Sequence, residues 1–459
     1  MKKYIFALFC LLFLIVAAYI YFRHDDDKAR NVLPKEVTAV AVLKPAELFL
    51  DLGLPVEKMS KLPLNFEGIM ESVDLTKPIY AFATEKGLTG VAMNVIDADK
   101  LLQAVSVFSY ATEEQQGFHW IVNNNSIGCI DEDKMLLLGP VASAEQDALR
   151  PEMLKLMNQK RQDVPVLDRA EEQRGVLLVS SSLTNLPTQY TKALPADIDL
   201  SKAFLNMALR IDEKAIRLTT KVEGIDKLDM PMSPIEGNLI HMEPKEPFAW
   251  IAFNTKGEDL LPNLRQEPRL RSALLALNMC VDADMMIKAI DGDVSIALPK
   301  ADMNNPDFIL TAMLSNTEFL KNAEDWEVNR RSTTDFSITQ NGFSVYFGVR
   351  EQKLYIASSE ELANKACQET EAEDFQEESK GKYLTASLDI DELMEYLFSS
   401  PSLISVMFTL PQIREVADAF ERVTLTAESP QSFELSIETD EPVKDIISKI
   451  SYLLTGDKI

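Results

Sequence analysis

The chain has 459 residues, 46% of them hydrophobic, with 72 acidic residues against 46 basic ones and a net charge of −26. That charge excludes nucleic acid as an expected partner and makes an anionic lipid surface unattractive for the body of the chain. The apolar content excludes a disordered chain, and the length predicts two domains of roughly 200 residues instead of one core.

Lys2 and Lys3 lead an uninterrupted apolar run over residues 4–22. At about 1.5 Å of rise per residue, this run nearly spans the hydrocarbon core as a helix. Tyr4, Leu11, Leu14 and Phe22 are candidate anchor residues along it. The lysines place its start in the cytoplasm and the rest of the chain outside. A second reading is open: Val16, Ala17 and Ala18 offer the small residues of a signal-peptidase site. The apolar run continues past that site, which favours an uncleaved anchor. Both readings export the chain. It then faces the periplasm from the cytoplasmic membrane, or is secreted to the envelope if cleaved.

Residues 23–35 follow as "RHDDDKARNVLPK". The run Asp25, Asp26 and Asp27 is expected to be a solvated spacer, because nothing rigid gathers these carboxylates. Residues 36–223 read as a first domain. A strand opens it in "EVTAVAVLKPAELFL". A strand over 79–84, a turn at Lys86-Gly87, a strand over 88–95 and a helix capped by Asp97 come next. "GFHWIVNNNSIGCIDEDKMLLLGPVASAEQDAL" predicts three short strands and a helix. Ser180, Ser181 and Ser182 are expected to start a turn, and paired strands close the domain.

Residues 224–247 hold Pro231, Pro234, Pro244 and Pro247 without periodicity and read as a linker. Residues 248–459 read as a second domain in the same order. "EPFAWIAFNTKGEDLL" repeats the opening pattern of an acidic residue, an apolar strand, a lysine step and an acidic helix start. A strand, a turn at Asp291-Gly292-Asp293, a strand and a helix capped by Ser315 or Asn316 follow. "DFSITQNGFSVYFGVREQKLYIASSEELANKAC" again predicts three strands and a helix. The chain therefore reads as an internal duplication. The expected fold class is α+β: two tandem duplicated domains, each a mainly antiparallel sheet with helices packed on one face, preceded by one transmembrane or signal helix.

Two segments, "LPKEVTAVAVLKPAELF" and "VDLTKPIYAF", resemble a family of exported envelope proteins of the Bacteroidota, a domain of unknown function. The resemblance covers most of the exported chain. It implies an envelope location and this fold type, and it implies no activity. Members of that family are often lipoproteins. This sequence departs from them, because Leu8 and Phe9 precede Cys10 where a lipoprotein signal needs small residues.

Chemistry is sparse. The histidines are His24, His119 and His241. A Ser-His-Asp triad would need His119, and no G-x-S-x-G elbow is present. HExxH, the calcium-loop pattern, the P-loop and GxGxxG are absent. Asp97 with Asp99, and Asp282 with Asp284, are expected to start or flank helices. Cys129, Cys280 and Cys367 are isolated and read as small buried hydrophobes. No metal or cofactor is expected. One dense acidic loop, "ETEAEDFQEE", carries Glu371, Glu373, Asp374 and Glu377. It reads as a solvated connection, or as a docking surface for a basic partner. "SPSLISVMFTLPQI", residues 400–413, reads as core or as an exposed apolar patch.

The expected function is non-catalytic: an envelope-anchored binding or scaffold protein, with the groove between the two halves as its contact site. The rivals are an envelope hydrolase acting on glycan or peptide, and an assembly or chaperone-like helper. The expected partners are the membrane, through the N-terminal helix, and another envelope protein.

Overall fold

The computed structural model describes residues 27–53, 67–107, 110–185, 199–225, 231–242, 244–302, 306–340, 343–399 and 416–455. The anchor candidates Tyr4, Leu11, Leu14 and Phe22, and the apolar stretch 400–413, lie outside these residues. Among the described residues, no helix is long and apolar enough to cross a membrane. The chain is α+β, with antiparallel sheet and several helices. Contacts divide it into two compact units: 27–213 with 222–224 and 447–455, and 214–221 with 225–446.

The first unit contains β1 (Val37–Leu43), β2 (Ile79–Thr84), β3 (Thr89–Asn94), β4 (Ala111–Gln115), β5 (Phe118–Val122), β6 (Ile127–Ile130), β7 (Lys134–Leu138), β8 (Leu177–Ser182) and β9 (Phe204–Asp212). Their pairing order is 4-5-6-7-3-2-1-8-9. Side chains alternate between the two faces of a strand. Val40 and Val42 of β1, Tyr80 and Phe82 of β2, and Leu136 and Leu138 of β7 therefore enter one core. The helices Ser143–Asn158 and Pro165–Glu171 cover that face with Met153, Leu156 and Leu167.

Helices expected on one face lie on both. The helix Ala98–Ser106 sends Leu101 and Val105 into a second cluster with Ile121, Ile130 and Met135. The reason is visible in β6 and β7. "IGCI" and "MLLL" are apolar at successive positions, so both of their faces need cover. Asp97 caps that helix as predicted, accepting from the Lys100 amide at 3.0 Å.

The second unit contains β10 (Ala215–Glu223), β11 (Ala249–Lys256), β12 (Ile290–Leu298), β13 (Ile309–Leu314), β14 (Asn329–Arg330), β15 (Asp335–Gln340), β16 (Phe343–Arg350), β17 (Lys353–Ala357), β18 (Leu384–Asp389), β19 (Phe420–Ser429) and β20 (Ser432–Thr439). Residues 215–221 of β10 belong to this unit by their contacts, and 222–223 to the first. The order is 14-15-16-17-13-12-11-18-19-20-10. Phe336, Phe347 and Phe319 surround Trp326 in one cluster. Trp250, Tyr355 and Phe375 lie in another.

Three local readings are corrected. Asp291-Gly292-Asp293 is no hairpin turn. It lies inside β12, where Gly292 has φ +126° and the register with β13 shifts between Ile290 and Val294. This is a bulge that suits glycine. The element expected to be capped by Ser315 or Asn316 is a 3-10 helix, Glu318–Asp325, with Thr317 at its N-cap. Asn316 still accepts from the Glu318 amide at 3.1 Å. Ser180–Ser182 complete β8 instead of leaving it, and Ser180 is fully buried.

The acidic spacer is also corrected, from Asp27 onward. Lys28–Asn31 form a helical turn, and Ala29, Val32 and Leu33 are fully buried in the first core. Asp27 is their clasp. Its carboxylate accepts from Tyr80 Oη at 2.5 Å, from Asn94 Nδ2 at 2.8 Å and from the Arg30 amide at 3.3 Å. Asn94 Oδ1 in turn accepts the amides of Lys28 and Ala29. Arg30 pairs with Asp168 and Glu171, and Lys28 with Asp133. The local sequence hid this, because an Asp run looks solvated until two strands bring Tyr80 and Asn94 beside it.

The stretch 231–242, read from sequence as part of a linker, is built similarly. Ile235 and Ile240 enter the Trp250 cluster. Buried Asp293 accepts from the amides of Glu236 and Asn238 at 2.9 and 2.7 Å, and from Asn254 Nδ2 at 2.9 Å.

Burial, followed by the charge of Asp27, raises the Tyr80 phenol above its ordinary 10.0. The folded chain therefore favours the neutral phenol. This stabilisation is complete below pH 10.0 and is lost as pH rises above it. Tyr80→Phe should cost about 1–2 kcal/mol at neutral pH, read as an earlier urea midpoint at unchanged slope. The gap between the two proteins should narrow above pH 10.0. A gap that stays constant with pH would refute the role given to this phenol.

Candidate binding surfaces

The acidic segment folds back on the second unit. Phe375 is its anchor: it is buried, meets Trp250 edge-on at 5.7 Å between centroids, and carries the Arg422 guanidinium 4.3 Å above its ring. The short helix Asp374–Glu377 starts at Glu373, whose amide donates to Gln376 Oε1 at 2.8 Å. Glu371 lies 3.5 Å from Lys245 and Glu377 lies 3.3 Å from His241. The hydrogen bond that Lys245 donates to the Glu371 carboxylate raises the Lys245 pKa. Asp374 stays exposed in the first turn. Of the four predicted residues, Glu371 and Glu377 are thus spent on local pairing, and Glu373 starts a helix. Among the described residues, no three His, Cys, Asp or Glu side chains converge to hold a metal.

The other candidates are scattered by the fold. His119 lies on β5, opposite Glu114 on one side and Ile130 on the other. Asp282 caps the helix Ala283–Lys288 through the Met285 amide, and Asp284 accepts from Asn278. Cys129 is fully buried, and burial pushes its thiol up to about 12.

One surface was missed. The sheet face of the first unit opposite its larger core carries a row of small and aliphatic residues in register. Leu137 pairs with Val91, Val91 with Ala81, Ala81 with Ala41, and Ala41 with Val179. Ala39 and Ala83 form the next row. Among the described residues no helix covers them, and they line an open apolar depression of about 470 Å³. Among the described residues, none of its lining side chains is titratable. The sequence signal was the alternation of alanines in "TAVAVL" and "IYAFAT". The alanines are small, so the face sinks between its bulkier neighbours. A second recess, of about 540 Å³, is rimmed by Asn316, Glu318, Lys321 and Gln352.

Substitutions separate anchoring from display in the acidic segment. Phe375→Ala should cost about 3–5 kcal/mol by urea unfolding. Glu371→Gln with Glu377→Gln should leave the urea midpoint unchanged, because exposed pairs contribute little. The reverse ranking would contradict the placement of Phe375.

A search of curated proteins finds no match. Among solved structures, crystal form I of TP0453 is 10% identical, with 45% of this chain and 81% of that chain covered, at a TM-score of 0.31. Crystal form IV of TP0453 is 12% identical, with 43% and 80% covered, at 0.29. A DNA polymerase sliding clamp from Pseudomonas aeruginosa is 10% identical, with 88% and 99% covered, at 0.10. Likenesses this slight carry neither fold nor function. The family model is decisive, since it spans residues 67–425: the chain belongs to the domain of unknown function DUF4836.

Proposed function

We propose that this protein is a non-catalytic binding or scaffold protein of the bacterial envelope, exported by its N-terminal apolar segment and held at the membrane by it. The apolar depression over Ala41, Ala81 and Val91 carries this reading. A site for acid–base or nucleophilic chemistry needs titratable groups converging in a cleft. A lining of alanine, valine, leucine and glycine with Phe82, in which Thr89 and Ser126 are the polar side chains and, among the described residues, no base stands beside them, instead suits an apolar surface laid against it.

Two further inferences belong to this reading. The pairing order 4-5-6-7-3-2-1-8-9 recurs in the second unit with each strand number raised by ten, which supports an internal duplication. The resemblance stated from sequence supports an origin in the Bacteroidota.

The test is photo-crosslinking in intact cells, with tagged full-length protein carrying a photoreactive amino acid at Ala81. Ala81 is exposed within the depression. Recovery of one or a few envelope components, lost when Ala41 is replaced by Glu, is the expected result. A chain recovered alone at comparable expression would count against binding at this face.

A further inference from the structure

A row of buried hydroxyls crosses three strands of the second unit. Ser387 of β18 lies directly opposite Thr424 of β19, and Thr424 lies opposite Ser436 of β20. Residues paired in this way project from the same face of a sheet. Trp250 pairs with Ser387 from the other side and shares that face, as does Thr385, two residues before Ser387. Thr385, Ser387, Thr424 and Ser436 are at most 8% exposed. Among the described residues, their hydroxyl oxygens have no hydrogen-bond partner. Arg422, two residues before Thr424, adds a buried Nη1 in the same condition, while its Nη2 lies 3.4 Å from Asp389.

The first unit has the same feature at the matching place in its own pairing order. Ser180 of β8 lies opposite Asn206 of β9, as Ser387 lies opposite Thr424. Val40 of β1 flanks Ser180, as Trp250 of β11 flanks Ser387. Ser180 is fully buried and Asn206 is 3% exposed. Among the described residues, Ser180 Oγ and Asn206 Oδ1 again have no hydrogen-bond partner. A buried polar group without a partner gives up its bonds to water for nothing, so such groups are rare in folded chains. Here they fall at one register position in both sheets.

Spacing indicates what satisfies them. Directly paired residues hold their Cβ atoms about 4.5–5.5 Å apart. Hydroxyls on such pairs can bond to one another, but these do not. One water, bonding an oxygen on each side at about 2.8 Å, bridges a gap of up to about 5.6 Å. Serine is short beside Val40 and Tyr80 in one core and beside Trp250 and Tyr355 in the other, so each row sits low in its face.

We propose that each row is a site for internal water: one molecule between Ser180 and Asn206, and a short string over Ser387, Thr424 and Ser436 that ends at Arg422 Nη1. The hydroxyls donate or accept as the water requires, Asn206 Oδ1 accepts, and the guanidinium donates. Ser180 shares the face of Val40, whereas Val179 shares that of Ala41, so the first site lies across the sheet from the apolar depression. The two water sites are independent of the binding role given to that depression.

The test counts long-lived internal waters in the full chain by oxygen-17 magnetic relaxation dispersion. Thr424→Val keeps the shape of the side chain and removes the central hydroxyl of the string. It should lower the count by at least one, and Ser180→Ala should lower it by one in the other unit. Urea unfolding adds a sign. With water in place, Thr424→Val deprives the water and its two serines of a partner, and the midpoint should fall. In a dry row the same substitution removes an unpaired buried hydroxyl, and the midpoint would rise. A count that stays at the parent value in both variants would overturn the proposal, whatever the midpoint does. A count lowered in one variant alone would support the site in that unit and overturn the other.

Discussion

In each unit, one carboxylate with three donors holds a segment that precedes a central strand of the sheet, β1 in the first unit and β11 in the second. Asp27 gathers Tyr80, Asn94 and the Arg30 amide. Asp293 gathers the Glu236 and Asn238 amides and Asn254. A carboxylate buried without such donors would be costly, so each clasp is all or nothing. Neither segment has a strand partner of comparable length. Their apolar residues, Ala29, Val32 and Leu33 in one case and Ile235 and Ile240 in the other, reach a core beside backbone that the carboxylate helps to fix, together with Gln159 on Asn31 and Leu33 and the Ile235–Lys382 backbone bond.

That constraint shapes the sheets. With the segment 27–33 occupying part of one face of the first unit, Tyr80, Phe82, Val40 and Val42 are closed into a core. Among the described residues, the opposite face has its helix over β3 and β5–β7. The strands β1, β2 and β8 keep alanine and valine there, and the depression is what remains. The surface that supports a binding role is thus the part of a two-faced sheet that its helices leave uncovered.

The sequence made the strands legible where alternation was clean. The predicted strand over 79–84 coincides with β2, and the Asp97 cap is in place. It failed where a side chain's meaning depended on distant residues. Asp27 and Asp293 both sit in short Asp-rich strings that look like spacer or turn, and their donors lie 53 to 67 residues away for Asp27 and 39 to 57 away for Asp293, apart from the neighbouring Arg30 amide. The acidic loop was legible as charge but not as architecture, because Phe375 was hidden among its carboxylates. The alanine face was unreadable for a related reason. Alternating alanines mark a strand, but only the pairing of five strands turns them into a surface.

The clasp at Asp27 is the claim on which the first unit rests, and amide hydrogen exchange on the full chain tests it most directly. The Lys28 and Ala29 amides donate to Asn94 Oδ1 at 3.0 and 3.1 Å. They should exchange as slowly as the amides of β2 and β3, since they open only when the unit opens. Exchange at the rate of an unstructured peptide would mean that residues 27–33 are a free spacer after all, and the account of the first unit would fail with them.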